Sequence, residues 1–275
     1  MTTGPAPAQL GDRVPAQAVI EELLAVQSRV RPRTTLQRIF GANPLSSESL
    51  SWYKGALGEM AVGGILERLG PEWLVLHAVP VGAGSADIDH VLIGPPGVFT
   101  LNTKNHSGQS VWVAGRTLMV AGRKTRHLYN YNAAHEAARA AKLLSVAVGA
   151  AVEVTGVVVV VEPKSLTIKA RPENAAVVSD TQLLRWLSRC PRELGPREVA
   201  QIAAAAVHPG TWHRRPVPLG DPLALQQSFH ALRLLVVQAR RRRAAWALGI
   251  PAAGFVVLAN GAQLGAAILQ GLAGR

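Results

Sequence analysis

Hydrolysis of a phosphodiester needs a divalent cation held by hard oxygen ligands, an activated water, and a positive charge beside the scissile phosphate. The stretch DIDHVLIGPPGVFTLNTK, residues 87–104, carries residue types suited to all three. Asp89 can supply one ligand, Asn102 an amide oxygen, and Thr103 its main-chain carbonyl. Lys104 lies two residues beyond Asn102 and so falls on the same side of a strand. There it can orient or deprotonate the water, or stabilise the pentavalent transition state. Glu59, upstream, can complete the metal shell directly or through water.

These residues meet only if the chain between them pairs. Val91–Ile93 and Val98–Leu101 are apolar runs joined by Gly94-Pro95-Pro96-Gly97, the composition of a β-hairpin. Antiparallel pairing brings the acidic start, with Asp87 and Asp89, to the same edge as the end bearing Asn102 and Lys104. Ser46-Ser47-Glu48 opens a helix whose apolar positions, from Leu50 to Leu66, recur at spacings of mostly three and four, and Gly70-Pro71 stops it. Glu59 falls close to its apolar side, and a carboxylate there is costly without a partner.

Further strands are expected over 73–81, over 111–113 with 117–120 as a second hairpin, over 152–161, and over 166–169 and 175–178. The near-continuous β-branched run 152–161 reads as a central strand buried on both faces. Helices are expected over 133–148, 180–188 and 196–206. The order helix, strands, helix, strand is an α/β pattern with an antiparallel-to-mixed sheet and not a regular βαβ repeat. Arg123, Lys124, Arg126 and Tyr129 form a basic and aromatic cluster before the second helix, placed to contact phosphates if that helix start lies near the Asp89 edge. An exposed loop is the competing reading.

The chain of 275 residues has 29 Lys and Arg against 17 Asp and Glu, a formal net charge of +12, and 48% hydrophobic residues. That content supports a packed core and excludes a disordered protein. The charge favours an anionic partner, nucleic acid or an acidic lipid surface, or else describes a solvated basic surface with a topogenic Arg cluster. The single cysteine, Cys190, excludes an internal disulfide framework and a Cys-based metal cluster. His90 reads as a packed strand histidine, and neither His106 nor His135-Glu136 forms a zinc-type pair.

The residues so far resemble a known family. Glu59 in GALGE, Asp89 and the Asn102-Thr103-Lys104 triplet in DIDHVLIGPPGVFTLNTKNHSG, and the helix start from Tyr129 to Arg139 are similar to the NERD, or nuclease-related, domain of the PD-(D/E)XK nuclease superfamily. The resemblance covers roughly residues 50–165. It implies a restriction-endonuclease-like core of helix, three-stranded antiparallel-to-mixed sheet, helix and strand. It assigns Asp89 and Asn102 to a Mg2+ or Mn2+ ion, Lys104 to catalysis, and Glu59 to support. Asn102 departs from the pattern, which has Glu or Asp there, and a lost charge weakens a hard-cation site. Two functions follow: a divalent-metal-dependent nuclease acting on DNA, or a catalytically degenerate, non-enzymatic nucleic-acid-binding module.

Outside residues 46–207, the first 45 are expected to be a disordered basic region with one possible short helix. Residues 208–222 read as a Pro-rich linker, and 223–243 as a basic juxtamembrane helix. From Ala244 to Gly274 there is no charged residue, and Arg240 to Arg243 precede the stretch. Residues 244–271 are therefore expected to be a single C-terminal transmembrane helix, with the domain facing the cytoplasm at the membrane.

Overall fold

The computed structural model describes residues 10–81, 87–125, 129–213 and 220–273; within these, the side chains of 129–131, 252–255, 257, 259 and 262–273 are outside the description. Three helices come first: α1 (Gln17–Ser28), α2 (Thr35–Ile39) and α3 (Ser47–Leu66). The strands β1 (Leu74–Pro80), β2 (Asp87–Gly94) and β3 (Gly97–Asn105) follow, then β4 (Ser110–Ala114), β5 (Thr117–Val120) and β6 (Arg123–Lys124). Helix α4 (Tyr129–Val148) leads to β7 (Val154–Val161), β8 (Ser165–Ala170) and β9 (Ala176–Ser179). The chain closes with α5 (Leu183–Leu187), α6 (Pro196–Ala206), α7 (Pro209–Trp212) and α8 (Pro222–Ala273).

The main sheet has five strands in the order β1-β2-β3-β7-β9. Strands β1, β2 and β3 run antiparallel, while β3, β7 and β9 are parallel, which makes the fold mixed α/β. The expected three-stranded core is thus wider, because β7 and β9 join the same sheet. A separate sheet, β6-β5-β4-β8, contains the expected second hairpin and adds β8 in parallel to β4.

Two helices sandwich the main sheet. On one face Val62 and Leu66 of α3 pack on Leu92, Phe99, Leu101, Val157 and Val159. On the other, Ala140 and Leu144 of α4 meet Val91, Ile93 and Val98, while Ala133 meets Val158 and Val160. Small residues at Ala133, Ala137 and Ala140, all buried, let α4 lie close on the strands. The run of valines in β7 is buried from Val157 to Val161, as expected of a strand covered on both faces.

The N-terminal region is more structured than its composition suggests. Ile20 and Leu23 of α1 form a core with Tyr53 and Ala56 of α3 and with Phe229 and Leu232 of α8. The expected linker also packs: Trp212 is buried and donates its indole N–H to the Ala206 carbonyl at 2.7 Å. Residues 222–273 form one helix that runs through the Arg cluster and has Pro251 inside it. The Arg cluster does not end a separate element, because Arg242 donates to the Arg38 carbonyl and Trp246 to the Ile39 carbonyl, docking α8 on α2.

Among the described residues no helix is long and apolar enough to cross a membrane. The expected transmembrane segment is therefore without support. The side chains of 252–255, 257, 259 and 262–271, which make up most of that segment, lie outside the described residues.

Candidate metal and phosphate site

The open end of the β2–β3 hairpin gathers the polar residues. The hairpin pairs Gly94 with Gly97 and His90 with Leu101, so its free ends diverge only after the register has brought Asp89 beside Asn102 and Thr103. The Asp89 carboxylate accepts the Thr103 backbone N–H at 2.5 Å. Asn102 faces α4 and donates its amide Nδ2 to both carboxylate oxygens of Glu136, at 2.8 and 3.0 Å. Glu59 arrives from the other side. A Cβ on Gly58 would meet Asn105 Cβ at 3.2 Å and Thr103 Cγ2 at 3.3 Å, so a larger residue would hold α3 further from the end of β3. Glu59 is consequently buried, only 5% exposed.

Electrostatics tie these groups together. Burial pushes the Glu59 carboxyl well above its usual range, the charges of Asp89 and Asp87 push it further, and Lys104 opposes them. Asp87 is pushed up to about 7, by burial first and then by Asp89. Glu136 is also pushed up to about 7, by burial, with the Asn102 hydrogen bond acting the other way and Asp89 adding to the rise. Asp89 itself is raised by burial against the pull of Lys104 and the Thr103 hydrogen bonds. The other three carboxylates crowd around Asp89, and Lys104 is the cation that tempers Glu59, Asp89 and Glu136 alike.

The donor chemistry fits a hard divalent cation. Glu59 Oε2, Asp87 Oδ2 and Asn102 Oδ1 are buried oxygens with no hydrogen-bond partner, and crowded carboxylates are relieved by a positive ion. Among the described residues no group of three or more His, Cys, Asp or Glu side chains is arranged to hold a metal ion. An ion here would therefore draw on the Asn102 amide oxygen alongside carboxylates.

Glu59, Asp89, Asn102, Thr103 and Lys104 thus lie in one cluster. Arg123 and Lys124 form β6, an exposed strand of the second sheet. Arg126 lies outside the described residues, as does the side chain of Tyr129. Two residues of the cluster escaped the sequence-based selection. Asp87 was visible as a second strand-opening acid. Glu136 adjoins Ala137 in the buried stripe Ala133, Ala137, Ala140 of α4, the same signal that marked Glu59: a carboxylate beside an apolar helix face.

His77 and His90 form a second buried polar pair, opposite each other on β1 and β2. Their Nδ1 atoms are 2.8 Å apart, and burial lowers the pKa of both, that of His77 to about 4. His90 is thus a packed strand histidine with a histidine partner.

Residues 54–161 match the family model described as the nuclease-related domain, NERD. An uncharacterized protein of Bacillus anthracis is 36% identical over 77 residues, which cover 26% of this chain and 35% of that protein. The chain thus spans about a third of the length of that curated relative. No solved structure matches.

Proposed function

We propose that this chain, whose residues 54–161 match the nuclease-related domain, is a divalent-metal-dependent phosphodiester hydrolase acting on DNA. The observation that carries this reading is the bidentate contact of Asn102 with Glu136 beside Asp89 and Lys104. The negative charge that Asn102 lacks is present at the same place, supplied by a carboxylate from α4. Asp89, Asn102 and the Thr103 carbonyl would hold Mg2+ or Mn2+, with Glu59 and Glu136 adding charge. When bound, the ion supplies Lewis-acid stabilisation of the phosphoryl group.

The chain's own residues do the rest. The Thr103 N–H donates to the Asp89 carboxylate, which keeps it oriented. Asn102 holds Glu136 in place through its amide N–H groups and leaves Oδ1 unspent. Lys104 brings an ammonium to where negative charge builds on the phosphate oxygens as the bond to the leaving oxygen breaks.

The test is a charge exchange. The full chain is incubated with linear, nicked and branched DNA in Mg2+ or Mn2+. Glu136→Gln is expected to lose cleavage, and Asn102→Glu combined with Glu136→Gln to recover it. Absence of cleavage by the natural chain on every substrate with both ions overturns the reading. A second reading, a degenerate nucleic-acid-binding module, is favoured by Asn102 alone. It predicts that metal affinity and cleavage appear only when Asn102 is replaced by Glu.

A further inference from the structure

A groove of about 660 Å3 lies between α3, α8 and the carboxyl ends of β3 and β7. It reaches Asn105, the residue after Lys104, so it adjoins the carboxylate cluster along the chain. Its cations are Lys54 from α3 and Arg233 and Arg240 from α8. Among the described residues its wall carries one carboxylate, Glu162, which accepts the Ser107 hydroxyl at 2.9 Å. Positive charge therefore dominates the groove, and a polyanion is the complementary occupant.

The two arginines are held by the packing beneath them. Phe229, Leu232 and Ala239 are buried, and the first two pack against Tyr53 and Ala56 of α3. Arg233 and Arg240 each follow a residue of this buried stripe, so they share a helix phase and are about 10 Å apart along the axis at 1.5 Å per residue. One strand of nucleic acid advances about 3.4 Å per nucleotide, which makes that separation roughly three phosphates. Beyond Asp221 the chain has no acidic residue to compete for them.

We propose that this groove binds the nucleic-acid backbone next to the scissile phosphate, with α8 acting as a clamp supplied from outside residues 54–161. The proposal rests on the hydrolase reading only for what lies at the groove's end, not for binding itself. A second basic cavity provides the control. Arg171, Arg185 and Arg189 line a space of about 670 Å3 at the amino ends of β7 and β9, the opposite end of the sheet.

Binding of fluorescein-labelled DNA to the full chain is measured by anisotropy in EDTA across a salt series. Lys54→Gln, Arg233→Gln and Arg240→Gln together are expected to weaken binding at least roughly tenfold and to lower the slope of log affinity against log salt by about 3. Arg171→Gln, Arg185→Gln and Arg189→Gln together remove the same charge and are expected to leave the slope near that of the natural chain. Arg233→Lys with Arg240→Lys keeps the charges and should keep the slope, which separates lost contact from lost folding. No binding by the natural chain, an unchanged slope in the groove variant, or equal losses in both triple variants overturns the proposal. Groove-dependent binding without cleavage in Mg2+ or Mn2+ overturns the hydrolase reading instead and leaves the groove standing.

Discussion

The two ends of the β2–β3 hairpin are built on opposite terms. At the turn end Ile93 and Val98 are buried in the core, and Trp73 packs on Phe99 at a tilt of 36° with ring centroids 6.2 Å apart. The side-chain packing there is apolar, and burial stabilises it. At the open end the same two strands carry Asp87, Asp89 and Asn102 into a space shared with Glu59 and Glu136, where burial raises the carboxyls and the charge of Asp89 raises Glu59, Asp87 and Glu136 further. One end stabilises the fold, and the other spends stability to hold carboxylates, an amide and an ammonium together. The difference predicts that mutations at the two ends will separate activity from stability.

The largest separation is expected at Lys104. On the hydrolase reading Lys104→Ala removes the ammonium that would meet developing charge, a loss on the order of 10²–10³-fold in turnover. It also removes the cation that tempers Glu59, Asp89 and Glu136, but those carboxyls can take up protons in its place, so the thermal midpoint without metal should fall by far less than activity does. A variant that unfolds in proportion to its lost cleavage would show that the open end is structural like the turn end. Trp73→Ala should do the reverse. Truncating a large aromatic packed on Phe99 is expected to cost about 3 kcal/mol in urea unfolding, while cleavage per folded molecule stays near that of the natural chain.

The cost of the open end can be read from pH. Glu136 ordinarily titrates near 4.5 and is pushed up to about 7 in the fold. Between those values the folded chain holds a proton that the unfolded chain has released. This group's contribution is complete below 4.5 and is lost as pH rises through 7. Glu136→Gln should therefore raise stability in EDTA by up to about 3 kcal/mol at pH 8 and by little at pH 4.5. Urea denaturation at the two pH values measures this. Equal effects at both would mean that Glu136 is not held against its neighbours. The histidine pair acts in the opposite sense: His77 titrates near 4 in the fold, so its contribution is lost as pH falls below 6.5.

The hairpin and its polar ends were legible because alternation, turn residues and an i, i+2 relation are local in the chain. Glu59 was legible because a carboxylate beside an apolar stripe announces a buried partner. The five-stranded sheet was less so, since β3 pairs with β7 across the whole of β4, β5, β6 and α4, and parallel pairing leaves no turn between partners to read. Asn102 shows the limit most clearly. Position by position it is a missing charge, and only the packing of α4 on the strands reveals that Glu136, 34 residues away, stands against it. The α1 helix was under-read because its buried positions include Gln17 as well as Ile20, Leu23 and Val26. That mixture blurs the stripe, and what covers it is α8, from the far end of the chain.

The smallest effect belongs to the turn itself. Gly97 has φ +128°, a backbone conformation that side chains rarely adopt, yet an added Cβ would meet nothing closer than Glu193 at 3.9 Å. Gly97→Ala is thus strained without being crowded, and is expected to cost about 1–2 kcal/mol. The strands pair continuously from the Gly94–Gly97 pair to the His90–Leu101 pair, so the register at the open end should hold and cleavage should survive. A fall in cleavage larger than the fall in folded fraction would mean that the turn sets the register of Asp89 against Asn102. The two ends would then be mechanically coupled and not merely adjoining parts of one hairpin.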